Sequence, residues 1–353
     1  MMTQQHHNPI GTDGFEFIEF TGPKPEVLVE DFKRMGFRQI GTHRHKDVRL
    51  LRQNDINLIV NAAGTANAGE FAAKRGQSTN ALAFRVRDAA AAIKEVERRG
   101  AEVVENHVGP MELNIPCIRG VGGALVYLVD RYGSSSIYDV DFDLDEDAMR
   151  NCGGPLKRID HLTHNLYFGN MKKFVQFYED VFNFRELQYF DIRGEHTGLV
   201  SKVMISPCDR IQIPLNESDD PASQINEYLD RYQGEGIQHI AFATEGICGA
   251  VRQFSSNGVV FMDTPDTDYR DLPNRVQDHN EDVGRLRDHR VLLDGSLQAG
   301  FLLQIFTRDL IGPIFFELIE RKGNKGFGEG NFTALFESIE KDQMERGVLN
   351  VEH

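Results

Sequence analysis

Hydrophobic and polar positions alternate along this chain at two spacings, and the order of those spacings sets out its elements. GFEFIEF, around Phe15, is short, aromatic and alternating, so it predicts a strand. After a turn at 21–25, the stretch 25–35 carries helical periodicity and stops at Gly36. Strands are expected at 48–52, 56–61 and 80–87, then an Ala-rich helix over 88–99 that ends at Gly100, then a strand at 124–131. The polar stretch 133–157, with DVDFDLDEDA and Gly153-Gly154-Pro155, predicts a linker.

Beyond it the order begins again. IDHLTHNL (159–166) predicts a strand, and Asn170 caps a helix over 171–184 whose Phe174, Phe177, Tyr178 and Val181 share one face. Strands follow at 198–206, 210–216 and 236–244, a helix at 248–256, and after a polar insert (263–300) strands at 301–306 and 314–321. A helix over 333–346 closes the pattern. INLIVN answers IQIPLN, ALAFRVRD answers QHIAFATE, and ALVYLVDR answers FFELIER, in the same order, which implies duplicated units. The expected domains are 1–150 and 151–353.

The duplication acts as a control on individual residues. Glu317 interrupts the apolar run 314–319, and a buried carboxylate must be paired, protonated or bound to a metal. Its plainest explanation is a partner arginine or a solvent-facing position. His161 and His239 sit in equivalent apolar strands, and the repeat sets Phe17, Ala81 and Tyr127 opposite His161, His239 and Glu317. Three polar residues of the second half therefore replace three core-type residues of the first. Two imidazoles and one carboxylate converging from strands of one curved sheet suit a facial site with open positions, as in non-haem Fe(II) oxygenases. Zinc would favour four ligands, often thiolates. His164, three residues from His161, is expected on the other face in a structural role, with Asp160 and Thr163 turned away to solvent.

Composition limits the alternatives. In 353 residues the net charge is −15 with no basic cluster, so neither nucleic acid nor an anionic membrane is an expected partner. No apolar run reaches spanning length and the leader shows no signal-peptide pattern. The four cysteines are scattered, which suits a reducing cytoplasm. Around the proposed metal, Ser201, Asn216, Gln224, Gln238 and Gln304 offer polar contacts. Phe306, Phe315, Phe327 and Phe332 offer an aromatic wall, although a phenylalanine taken singly is ordinarily core. The loop GFGEGNF has glycines that allow close packing or a hinge and lacks a phosphate-loop pattern.

With IDHLTHNL, FDIRGEHTGLVSKVM, IPLNE, GEGIQHIAF, LLQIFT and FFELIERKGN…GFGEGNF in fixed order, the chain resembles the 4-hydroxyphenylpyruvate dioxygenases of the vicinal-oxygen-chelate superfamily from about Gly14 to Gly347. The resemblance implies an α+β chain of two duplicated vicinal-oxygen-chelate (βαβββ) domains, each an open curved sheet or half-barrel with flanking helices. It implies Fe(II) on His161, His239 and Glu317, and a first domain without catalysis. Ser201, Asn216, Gln238 and Gln304 then match catalytic polar residues, and Gln224, Phe306, Phe315, Phe327, Asn331 and Phe332 match substrate contacts. A C-terminal helix covers the pocket. The implied reaction takes an aromatic 2-oxo acid, 4-hydroxyphenylpyruvate, and O2 to homogentisate and CO2 in tyrosine breakdown, without an external reductant. A cytoplasmic dimer or tetramer is the family expectation. 4-Hydroxymandelate synthase, an extradiol catechol dioxygenase and a metal-free binding module of the superfamily are the competing readings, separable by product, substrate and iron content.

Overall fold

The computed structural model describes residues 6–349 apart from 65, 106, 107, 110 and 195, so both chain ends lie outside the described residues. Two sheets carry the structure. The first holds β1 (Thr12–Thr21), β2 (Arg38–His43), β3 (Val48–Gln53), β4 (Ile56–Asn61), β5 (Ser78–Val86), β6 (Val103–Val104), β7 (Cys117–Arg119), β8 (Leu125–Val129) and β9 (Phe142–Leu144). The second holds β10 (Leu156–Asn165), β11 (Arg185–Arg193), β12 (Gly198–Ile205), β13 (Gln212–Glu217), β14 (Gly236–Thr244), β15 (Leu292–Ser296), β16 (Gly300–Phe306) and β17 (Phe315–Lys322). Their orders are β6-β7-β8-β5-β1-β4-β3-β2-β9 and β11-β12-β13-β10-β14-β17-β16-β15.

At the centre of each sheet the pairing is the same: β1 lies parallel to β4 and antiparallel to β5, as β10 does to β13 and β14. The ladders also match residue for residue. Phe17 pairs with Ala83, and Ala83 with Tyr127; His161 pairs with Ala241, and Ala241 with Glu317. Glu19 faces Ala81 as Thr163 faces His239. Sheet register thus sets Phe17, Ala81 and Tyr127 at the positions of His161, His239 and Glu317.

Local chemistry explains the flanking helices. Asp88 accepts a hydrogen bond from Ala91 N at 2.8 Å and starts the helix Ala89–Arg98. At the helix Met171–Phe182 the expected cap differs: Asn170 donates instead to Glu235 Oε1, and Glu217 Oε2 accepts from Gly169 N (3.0 Å) and Met171 N (2.9 Å). A carboxylate at the positive end of the helix does the work expected of the amide.

The stretch 133–157 is more than a linker. It contains a helix (Tyr138–Asp141), the strand β9 paired to β2, and a helix (Glu146–Arg150). Ile137, Tyr138 and Phe142 are buried among its aspartates, and that burial draws the segment onto the first sheet. The polar insert holds the helices Asp266–Arg275 and Val283–Asp288, and β15, which pairs with β16. No helix among the described residues is long and apolar enough to cross a membrane.

Candidate metal centre

β10, β14 and β17 lie side by side, and their inward positions bring His161, His239 and Glu317 together. One carboxylate oxygen, Glu317 Oε2, lies 3.2 Å from His161 Nε2 and 3.6 Å from His239 Nε2. The three ligating atoms all fall within 4.8 Å of one another. His161 and Glu317 are almost wholly buried, and His239 is half-buried.

The imidazoles are held from behind. His161 Nδ1 donates to Asp160 Oδ1 at 3.0 Å, which leaves Nε2 to face Glu317. Arg321 grips Asp160 with two bonds (2.9 and 2.7 Å) and donates to Gly326 O at 2.6 Å, so the glycine loop is tied to the same anchor. His239 stacks on Phe315, its ring centre 5.0 Å away, and its Nε2 lies 2.9 Å from the Thr163 hydroxyl. Asp160 and Thr163 were both expected in solvent, and both are buried. Thr163, two residues from His161, shares its inward face by strand alternation. Asp160 does lie on the outer face, but Arg321 covers it, and a bulge between Ile159 and His161 brings it within reach of the ring. His164 is buried with Nδ1 unpartnered among the described residues, and burial lowers its pKa to about 4.

Electrostatics favour a cation here. Burial pushes His161 toward the neutral form, but Glu317 on one side and Asp160 on the other outweigh it and raise the pKa to about 9. Burial, with His161 adding to it, holds His239 well below the ordinary histidine value. Burial works against the Asp160 charge too, yet Arg321 and His161 keep its carboxyl below the usual range. The cluster therefore draws positive charge to the point where the three ligand atoms meet, and a divalent ion supplies it directly. Two nitrogens and one carboxylate oxygen, with no thiolate, fit Fe(II) better than a closed zinc site.

The cluster lines a cavity of about 80 Å³, together with Ser201, Asn216, Gln224, Gln238, Gln304, Phe306, Phe315, Phe327 and Phe332. Gln304 Nε2 donates to Glu317 Oε1 (2.9 Å) and to Phe327 O (3.1 Å). Asn331 stands behind the wall: it donates to Gln304 Oε1 at 2.9 Å and accepts from Arg275. Gly328 has to be glycine, since φ is +77° and a Cβ would sit 1.9 Å from Gln304 Oε1. Gln238 donates to Gln224 Oε1 at 3.3 Å, and these two with Phe315 also border an outer cavity of about 380 Å³.

Several wall residues were not anticipated. Phe190 and Ile192 come from β11, whose exposed, charged sequence RELQYFDIR hides the strand. Leu199, Val203 and Pro214 are strand positions facing inward, and Leu335 and Phe336 come from the helix Phe332–Glu345. Alternation out from Ser201 would have found Leu199 and Val203.

Fold and site together define a duplicated vicinal-oxygen-chelate protein with a metal-binding cluster in its second half. Residues 6–143 match the family described as "Hydroxyphenylpyruvate dioxygenase, HPPD, N-terminal", and residues 158–280 match the "Glyoxalase/Bleomycin resistance protein/Dioxygenase superfamily". The chain is 54% identical over 350 residues to hemolysin VllY of Vibrio vulnificus, covering 97% of this chain and 98% of that one. It is 53% identical over 350 residues to the 4-hydroxyphenylpyruvate dioxygenase of Pseudomonas aeruginosa, covering 98% of each. A solved variant of 4-hydroxymandelate synthase from Streptomyces coelicolor superposes with a TM-score of 0.83 at 25% identity, over 94% of this chain and 99% of that one. The chain belongs to the 4-hydroxyphenylpyruvate dioxygenase family, and it is an iron-dependent dioxygenase of that family.

Proposed function

We propose that the second-sheet cavity binds 4-hydroxyphenylpyruvate and that its conversion with O2 to homogentisate and CO2 takes place there. One observation carries the reading: two imidazoles and one buried carboxylate meet at the floor of a cavity walled by phenylalanines. His161, His239 and Glu317 would hold the ion. When bound, Fe(II) supplies Lewis acidity toward a 2-oxo acid and the redox chemistry that activates O2.

The rest of the work falls to the chain. Phe306, Phe315, Phe327 and Phe332 enclose the aromatic ring and keep water out. Ser201, Asn216 and Gln238 present hydroxyl and amide groups to the polar ends of the substrate, with Gln224 holding Gln238. Gln304 is tethered on one side by Asn331 and on the other donates to Glu317, so it orients that carboxylate. The reading divides the chain into a domain at 1–150 without catalysis and a catalytic domain at 151–353. It places the enzyme in the cytoplasm, where its four cysteines, none of them in a disulfide, stay reduced. A dimer or tetramer, testable by light scattering, belongs to the same proposal, with no nucleic-acid partner.

The test is product analysis. Incubated with Fe(II), O2 and 4-hydroxyphenylpyruvate, the enzyme should release homogentisate; 4-hydroxymandelate instead would assign the benzylic reaction of the synthase. Glu317→Ala or His161→Ala should lose Fe(II) binding and turnover while circular dichroism stays native. Turnover retained in either variant would remove the ligand assignment.

A further inference from the structure

The first sheet encloses a cavity of its own, of about 620 Å³. It is lined at the positions that line the metal cavity in the second sheet. Phe17 and Glu19 on β1 stand where β10 has His161 and Thr163; Asn61 stands where β13 has Asn216; Tyr127 stands where β17 has Glu317. With Phe17, Ala81 and Tyr127 at the ligand positions this cavity cannot hold iron in the same way, yet it has not become plain core.

Glu19 is what sets it apart. The residue is 7% exposed, and the amides of Asn61 (3.0 Å) and Asn80 (2.5 Å) both donate to the same oxygen, Oε1. Both of these amide bonds fall on Oε1, which leaves Oε2 to the cavity that Glu19 lines. Asn80, 1% exposed, also has its Oδ1 unpartnered among the described residues. A carboxylate this enclosed is costly, and a duplicate needing only to fill its core would carry an apolar residue instead. Nearby cations are already engaged: Lys46 lies 2.7 Å from Glu112, and Arg119 lies 3.2 Å from Glu102. The rim adds Glu70, Glu105 and Asp141, so the cavity is acidic overall. Beside Glu19 stand the rings of Phe17 and Tyr127, their centres 5.6 Å apart.

We propose that this cavity is a second, non-catalytic binding site for a small arylalkylamine, its ring against Phe17 and Tyr127 and its ammonium on Glu19 Oε2. The ammonium answers the open carboxylate oxygen and the aromatic faces answer the ring, with a cation–π contribution where the two meet. The volume lies within the range of small-molecule sites. Burial raises the Glu19 pKa against the pull of the two amides and of the more distant Lys46 charge, the condition a bound cation relieves.

Calorimetric titration of the full-length protein with phenethylamine, against the uncharged 2-phenylethanol, tests this. The amine should bind saturably and at least about tenfold more tightly than the alcohol, the ratio a lost charge-assisted hydrogen bond produces. Glu19→Gln should remove that preference while iron content and turnover stay at the parent level. Tyr127→Leu should weaken amine and alcohol together, and it serves in place of Glu19→Gln if that variant unfolds. Phe332→Ala, in the other cavity, should leave the amine titration unchanged. Amine binding that persists in Glu19→Gln and vanishes in Phe332→Ala would put the ligand in the metal cavity and overturn the proposal. So would equal affinity for amine and alcohol, or no saturable binding at all.

Discussion

His161, a proposed metal ligand, depends on residues that lie outside the cavity lining. Asp160 accepts from His161 Nδ1, and Arg321 holds Asp160 in turn. That bond fixes the tautomer which leaves Nε2 free for a metal, so Asp160→Asn should weaken Fe(II) binding by about 10–100-fold, the usual effect of losing such a support. It should also lower the melting temperature, because Arg321, half-buried beneath the loop, then faces a neutral amide. Chelator competition measures the first effect; iron affinity equal to the parent's would show that packing alone orients His161. The three candidate ligands were legible in the sequence because polar residues inside apolar strands stand out, more so when the duplicate lacks them. Asp160 and Thr163 were not, because an acid or hydroxyl in a strand reads as solvent-facing until its cover is known. Arg321 provides that cover, and it is 161 residues away in sequence from Asp160.

Among the elements, the helix Phe332–Glu345 forms one wall of the metal cavity. Phe332, Leu335 and Phe336 reach into the metal cavity, which at about 80 Å³ is narrower than the roughly 300 Å³ at which small-molecule sites begin. On the proposed function, a shift of this helix is the expected way to admit an aromatic acid. Its buried fastening is Glu340, whose Oε1 accepts from Thr197 N (2.9 Å), Thr197 Oγ1 (2.8 Å) and His196 N (3.3 Å). At the helix end, Arg346 and Glu227 form a more exposed pair, and such pairs contribute about 0–1 kcal/mol. Glu340→Ala leaves buried donors without an acceptor, at a cost of about 1–3 kcal/mol. The expected outcome is faster proteolytic cleavage near the C-terminus and a higher KM, with iron content unchanged. Cleavage as slow as in the parent would mean the helix is held by its apolar face alone. The helix itself was foreseen, while Glu340 was invisible because its partners sit on a loop between β11 and β12. In the same way β11 and β15 escaped notice: each has an exposed side, so its pattern carries too few apolar residues to mark a strand.

At the scale of the whole molecule, the two duplicates are packed into one another. Phe32 meets Phe316, Phe37 meets Phe242 and Phe84 meets Phe182, with ring centres 6.3, 5.7 and 5.3 Å apart, and all belong to a single core running through both sheets. Polar bonds cross as well: Gln53 Oε1 accepts from Leu156 N at 2.8 Å, and Tyr232 donates to Thr79 O at 2.9 Å. Sequence periodicity locates the duplicates but is silent on which outer faces meet, because an apolar helix face reads the same whether it covers its own sheet or its neighbour's. A shared core of this kind makes the halves melt together. Phe316, fully buried between them, is the place to test it. Phe316→Ala removes about 3–5 kcal/mol of packing and leaves a void under Phe32 and Phe242. Scanning calorimetry should show one transition in the parent and one, several degrees lower, in the variant. Two resolved transitions, with only the later half's displaced, would mean that the catalytic unit stands without the first, and the interdomain phenylalanines would then be contacts rather than core.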